Sequence, residues 1–179
     1  VPNVTISGSR LTPEVASRLA KTCGAVAVSR YGDGNRCYDS VAMLVEAGVH
    51  QVTIHQVVAE QTMEASHKAL RDAETDPRLT GLHAITFLML KPRGRGISMT
   101  PMTDLTRYRD LVQAGLAQGT VGFDSCSAGS VKAALVGEPQ GARISEDVEA
   151  CESGLFSLYI DVKGHAYPCS FTPKTPGWE

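Results

Sequence analysis

The sequence predicts an α/β fold: about four parallel strands wound as a partial (βα) barrel, followed by a small β-hairpin extension that carries cysteines. Three observations predict it. A short apolar run followed by a helical pattern recurs, with strands starting at Val4, Ala25, Gln51 and His83, and such alternation argues for a parallel sheet with helical crossovers. Crossovers of this length wind either into an open doubly wound sheet or into a barrel. No G-x-G-x-x-G follows the first strand, so the nucleotide-binding doubly wound fold lacks its main marker. Polar side chains also gather just past the strand ends: Ser7 and Ser9, Ser29 and Arg30, His55 and Gln56, and Lys91. In a barrel those ends form the active-site rim.

Each element has its own signal. Val4–Ser7 is rich in β-branched residues. Thr12-Pro13-Glu14 then opens a helix, with Thr12 as N-cap and Pro13 in the first turn. Val15, Leu19 and Thr22 keep helical spacing, and Gly24 closes it. Ala25–Ser29 is the second strand, and Asp33-Gly34-Asn35 is a loop before a helix from Asp39 to Ala47. Gln51–Val58 is the third strand, Thr62 caps a helix to about Asp72, and Asp76-Pro77 breaks the chain. His83–Leu90 is nearly all apolar, which predicts a strand covered on both faces. Beyond the loop Pro92–Gly96, a helix spans Asp104 to Gln118, Val121–Phe123 is a short strand and Gly129–Leu135 a short helix. Leu155–Val162 and His165–Ser170 read as a hairpin turning at Lys163-Gly164. The expected division is a partial barrel over residues 1–120 and a cysteine-bearing region over 121–179.

Composition narrows the function. Hydrophobic residues make up 42% and charged residues 20% of 179 residues, which suits a folded globular chain. The net charge of −2 gives no case for a nucleic-acid surface or an anionic membrane. No apolar run approaches the roughly 20 residues of a membrane span. Five cysteines, odd in number and thinly spread, argue against a disulfide scaffold and for a reduced, cytoplasmic protein. The chain opens on Val1 immediately before a strand, which reads as the back part of a longer protein.

Cys126, Cys151 and Cys169 carry the strongest chemical signal. Cys151 and Cys169 stand at the two ends of the predicted hairpin, and Cys126 follows a short strand, so all three can face one site. Three convergent thiolates suit zinc or an iron–sulfur cluster; otherwise they are small buried hydrophobes. Cys23 and Cys37 lack ligand-like neighbours and read as core.

The segments G-V-H-Q-V-T-I-H-Q-V-V, I-T-F-L-M-L-K-P-R-G-R-G, V-G-F-D-S-C and C-E-S-G-L-F-S-L-Y-I-D-V-K-G-H-A-Y-P-C-S-F together resemble the C-terminal part of radical S-adenosylmethionine (radical SAM) enzymes. Those enzymes fold as incomplete TIM-like barrels. The spacing from Cys151 through Gly164 to Cys169 resembles the opening of their SPASM and twitch extensions, which bind auxiliary iron–sulfur clusters. The resemblance implies that Cys126, Cys151 and Cys169 ligate an auxiliary [4Fe–4S] cluster. It also implies that the four strands are strands three to six of the barrel. The family's C-x3-C-x2-C loop, which holds the SAM-cleaving cluster, does not occur here, nor does the Gly-Gly-Glu-type motif. That cluster would come from a missing N-terminal part or a partner chain.

Carried onto matching positions, the resemblance implies SAM contacts from Ser29, Arg30, His55, Gln56, Val58 and Leu90. Arg30 would pair bidentately with a carboxylate; the alternatives are an ordinary rim arginine for Arg30 and a satisfied core histidine for His55, which lies within a β-branched run. Lys91 stands beside Leu90 at the last strand end or is a solvated strand end, and Arg93 and Arg95 read as a solvated loop, the alternative being contact with an anionic substrate. Asp124, beside a ligand cysteine, is a candidate acid or a partner that orients the ligand. Glu14, Glu46, Glu60, Glu64, Asp72 and Glu74 read as solvated faces. The whole protein would generate a 5′-deoxyadenosyl radical and abstract hydrogen from a substrate, which SPASM-type relatives suggest is a peptide or protein. Two rivals stand beside this: a non-enzymatic domain with a structural zinc site, and a metal-free barrel enzyme using His55 and Asp124 as an acid–base pair, whose cysteines would lie apart.

Overall fold

The computed structural model describes residues 1–172. Its centre is a five-stranded, wholly parallel sheet of β1 (Asn3–Ile6), β2 (Ala25–Ser29), β3 (Gln51–Val58), β4 (Ala84–Met89) and β5 (Val121–Phe123), ordered β1-β2-β3-β4-β5. The four strands predicted from the repeat stand adjacent and parallel in the predicted order. The short strand after residue 120 joins the same sheet, pairing Ile85 with Val121 and Phe87 with Phe123.

Strictly sequential order matters for the layers. Right-handed crossovers that always step the same way leave every crossover helix on one face. Those helices are α1 (Pro13–Thr22), α2 (Asn35–Glu46), α3 (Met63–Thr75) and α4 (Leu105–Gln118). Strand burial follows. Val26, Val28, Val52, Ile54, Ile85 and Phe87 are buried beneath the helices with Tyr38, Leu44 and Leu111. In β3 every second residue is only partly buried or exposed, and in β4 Ala84, Thr86 and Leu88 are partly exposed. The apolar run of β4 is therefore covered on one face, not on both as its composition predicts.

Local signals explain the helix ends. Thr12 accepts the Val15 N–H at 3.3 Å and Pro13 fills the first turn of α1. α2 begins at Asn35, four residues before the predicted start. Gly34 precedes it at φ +91°, and the Asp33 carboxylate accepts the Asn35 N–H at 3.0 Å. Gly34 is required twice over: the positive φ suits glycine, and a Cβ there would lie 2.6 Å from the Arg30 Nε. Asp104 caps α4 through the N–H groups of Thr106 and Arg107, and Gly119 ends it at φ +84°. α5 (Ala128–Ala134) matches the short predicted helix, whereas α6 (Gly141–Glu146) is unpredicted.

The C-terminal hairpin is present but short, with β6 (Tyr159–Ile160) antiparallel to β7 (Ala166–Tyr167). Its turn is built by Asp161, whose carboxylate accepts the N–H groups of Lys163 and His165, with Gly164 at φ +87°. Leu155, Phe156, Leu158, Ile160 and Val162 remain well exposed on it. Among the described residues β1 pairs only with β2, and no helix is long and apolar enough to cross a membrane.

Candidate functional site

Side chains alternate across a strand, so register decides what each strand end presents. The row Ser29–His55–Thr86–Gly122 faces away from the helices, above the row Thr5–Ala27–Thr53–Ala84. This open face is lined by small and hydroxyl-bearing residues, with His55 at its centre. Partial burial pulls the His55 pKa below its ordinary value, because desolvation penalises the imidazolium. At neutral pH His55 is a neutral donor and acceptor beside Ser29 and Thr86.

Arg30 and Gln56 point the other way, toward the helices. Arg30 is 4% and Gln56 2% exposed. The guanidinium donates to the Tyr38 hydroxyl at 2.9 Å, to Gln56 Oε1 at 3.2 Å and to the Asp33 carbonyl at 3.1 Å. Tyr38 in turn donates to Asp72 at 2.6 Å, and Lys68 pairs with the same carboxylate at 2.5 Å. Burial first, and then the bond to Asp72, push the Tyr38 hydroxyl far above its usual pKa. Asp72 is thus an inward-facing anchor, 16% exposed in its side chain, rather than the solvated acid its helical position predicts. Glu60 departs likewise: it pairs with Arg107 at 2.8 Å and accepts the Thr103 N–H at 3.1 Å.

The residues matched to SAM contacts therefore divide. Ser29 and His55 share the open face. Arg30, Gln56 and the fully buried Val58 belong to the helix side. Leu90 continues the ladder beyond β4, its N–H donating to the Val58 carbonyl at 3.0 Å. Arg93 and Arg95 are exposed on the loop that follows.

A second cluster lies beyond β4 and β5. Asp124 extends β5, donating its N–H to the Phe87 carbonyl at 3.0 Å, and its carboxylate accepts the Met89 N–H at 3.3 Å. The same carboxylate forms an ion pair with Lys91. The turn Ser125–Ser127 follows, folded back by the Ser127 N–H to the Asp124 carbonyl at 2.9 Å. It presents Cys126 to a cavity of about 420 Å³ that Cys151 and Cys169 also line, with Glu149, Glu152 and Tyr159. The Cys151 and Cys169 segments are tied together: Ser153 Oγ donates to the Pro168 carbonyl, and Gly154, at φ +75°, lies against the Pro168 ring. The Cys169 sulfur accepts the Phe171 N–H at 3.5 Å.

Partial desolvation raises the Cys126 pKa, Lys91 opposes that rise, and Asp124 and Cys151 reinforce it. Among the described residues no three His, Cys, Asp or Glu side chains are close enough together to hold a single metal ion. Cys37 is a core thiol, 2% exposed, its pKa pushed up to about 12 by burial, and Cys23 is partly buried. Sequence reasoning did not find the Arg30–Tyr38–Asp72 chain or the Lys91–Asp124 pair; the strand-end placement of Arg30, Lys91 and Asp124 was the available signal.

No protein-family model matches this chain, and no curated protein or solved structure is significantly similar to it.

Proposed function

We propose that this chain is the C-terminal portion of a radical SAM enzyme, with strands three to six of a partial barrel followed by an auxiliary-cluster region. The observation that carries the reading is the shared cavity. Cys126, Cys151 and Cys169 come from three separate segments and line one space beyond the C-terminal ends of the parallel strands. Parallel α/β folds place their chemistry at those ends. The metal-free alternative expects the three cysteines apart, which the shared cavity disfavours. A single zinc ion with bonds near 2.3 Å draws its sulfurs to within about 4 Å of one another. Among the described residues no three His, Cys, Asp or Glu side chains stand that close, so metal uptake decides between zinc and an iron–sulfur cluster.

The donor set fits thiolate ligation. Cys126, Cys151 and Cys169 would hold an auxiliary [4Fe–4S] cluster, with a fourth ligand from elsewhere. The Phe171 N–H on Cys169 is the kind of bond that steadies a ligating sulfur. When bound, such a cluster supplies electron transfer or a Lewis-acidic hold on substrate, while the SAM-cleaving cluster would belong to an upstream part or a partner chain. Ser29 and neutral His55 would orient SAM from the open face through hydrogen bonds. Arg30, Gln56 and Tyr38 would keep the β2–α2 loop in place without touching the ligand.

The test is anaerobic reconstitution of the 179-residue chain with iron and sulfide. The reading expects broad visible absorbance that is lost in Cys126→Ala, Cys151→Ala and Cys169→Ala alike. A chain that takes up no iron, or whose absorbance survives all three substitutions, would reject it.

A further inference from the structure

The C-terminal hairpin turns an apolar face to water. Leu155, Phe156, Leu158, Ile160 and Val162 are each 65% or more exposed, and no charged residue falls between Leu155 and Ile160. Side chains alternate across a strand, so Leu158 and Ile160 share one face. Ala166, opposite Ile160 on β7, stands beside them. The other face carries the paired Tyr159 and Tyr167, whose ring centroids are 6.3 Å apart. Each strand holds only two residues, and a lone two-stranded hairpin is marginal in water. Among the described residues nothing covers the apolar face. At roughly 180 Å² for a large apolar residue, five residues this exposed leave about 700 Å² open. That exceeds the roughly 300–600 Å² of the largest patch on a typical monomer.

We propose that this face packs against the same face of a second copy of the chain across a two-fold axis. The inference stands apart from the cluster reading and needs no metal. Area supports it: a standard stable interface uses about 800 Å² per partner, and the patch comes close to that. Charge supports it too. A two-fold contact sets one patch against itself, and an uncharged patch does so without burying an ion or opposing like charges. The same lack of charge gives a foreign partner no electrostatic pattern to read. The net charge of −2 leaves little repulsion between copies.

The experiment is sedimentation velocity on the metal-free 179-residue chain, at concentrations up to about 100 μM, above the μM-to-pM range of interfaces this size. Reductant is kept present, because Cys126 and Cys151 are exposed and a disulfide between chains would mimic association. Wild type should show a reversible monomer–dimer equilibrium. Ile160→Lys and Val162→Lys, both at exposed positions, should keep the wild-type circular dichroism and weaken the dimer at least about tenfold, since each contact then buries unpaired cations. A wild-type chain that stays monomeric throughout would overturn the proposal. So would a dimer that both substitutions leave unchanged, or growth into oligomers larger than two.

Discussion

Replacing Arg30 by methionine should destabilise the chain by about 2–4 kcal/mol. The side chain is 4% exposed and makes three hydrogen bonds, to Tyr38, Gln56 and the Asp33 carbonyl. Tyr38 keeps its bond to Asp72 when Arg30 is lost. Gln56 Oε1 does not keep a partner, and a buried acceptor left unsatisfied costs about 1–3 kcal/mol. The lost tether on the Tyr31–Gly34 loop adds about 1 kcal/mol, the net worth of an ordinary hydrogen bond. For a chain of this size the total lowers the melting temperature by about 5–15 °C. Urea unfolding followed by circular dichroism reads it directly. Arg30→Met combined with Gln56→Met should be less damaging than the two single effects added, because replacing both partners removes the orphaned acceptor. If Arg30→Met lies within about 0.5 kcal/mol of wild type, an ordinary surface effect, the guanidinium is not a structural tether. Its role as a direct ligand contact would then return.

Gly34→Ala should destabilise the chain by about 1–3 kcal/mol, because it combines positive φ with a Cβ 2.6 Å from the Arg30 Nε; equal urea midpoints would refute this. His55 has a folded pKa below its unfolded one, owing to desolvation, so the unfolded state binds more protons as pH falls through about 6.5. Its contribution is complete above that pH and is lost on acidification, and His55→Gln should flatten the fall in stability between about pH 7 and 5. Asp72 is also lowered: burial works against ionisation, but the bonds from Lys68 and Tyr38 prevail. The stability it adds is present above about pH 4 and lost below, so Asp72→Asn should be less acid-sensitive in the same melts.

The strands were legible because β-branched runs alternate with capped helices; Thr12 caps α1 as its sequence predicts, while Asp104, read as the first residue of its helix, is instead the N-cap. What the strand ends present was legible only in part. Ser29 and Arg30 are neighbours, as are His55 and Gln56, and a strand turns neighbours to opposite faces. One member of each pair had to point under the helices, and Arg30 and Gln56 do so because Tyr38 and Asp72 complete their bonding there. No local pattern reveals Asp72, since its partner Tyr38 is distant in sequence and meets it only when α2 and α3 pack. α6 escaped notice because it is a short helix beginning at a glycine, in a stretch where Gly137, Pro139 and Gly141 read as loop. The hairpin turn at Gly164 accounts for Cys169 returning toward Cys151, whereas Cys126 reaches the same cavity from the turn after β5, which no local pattern in the sequence places there.

The central claim, that the three cysteines hold an iron–sulfur cluster, is tested most directly by elemental analysis after competition. The reduced chain is incubated without oxygen with iron, sulfide and zinc together, desalted, and assayed for all three. The account predicts about four irons and four sulfides per chain, the composition of a [4Fe–4S] cluster, with both lost in the Cys126→Ala variant. About one zinc per chain without sulfide, the stoichiometry of a structural zinc site, would contradict it.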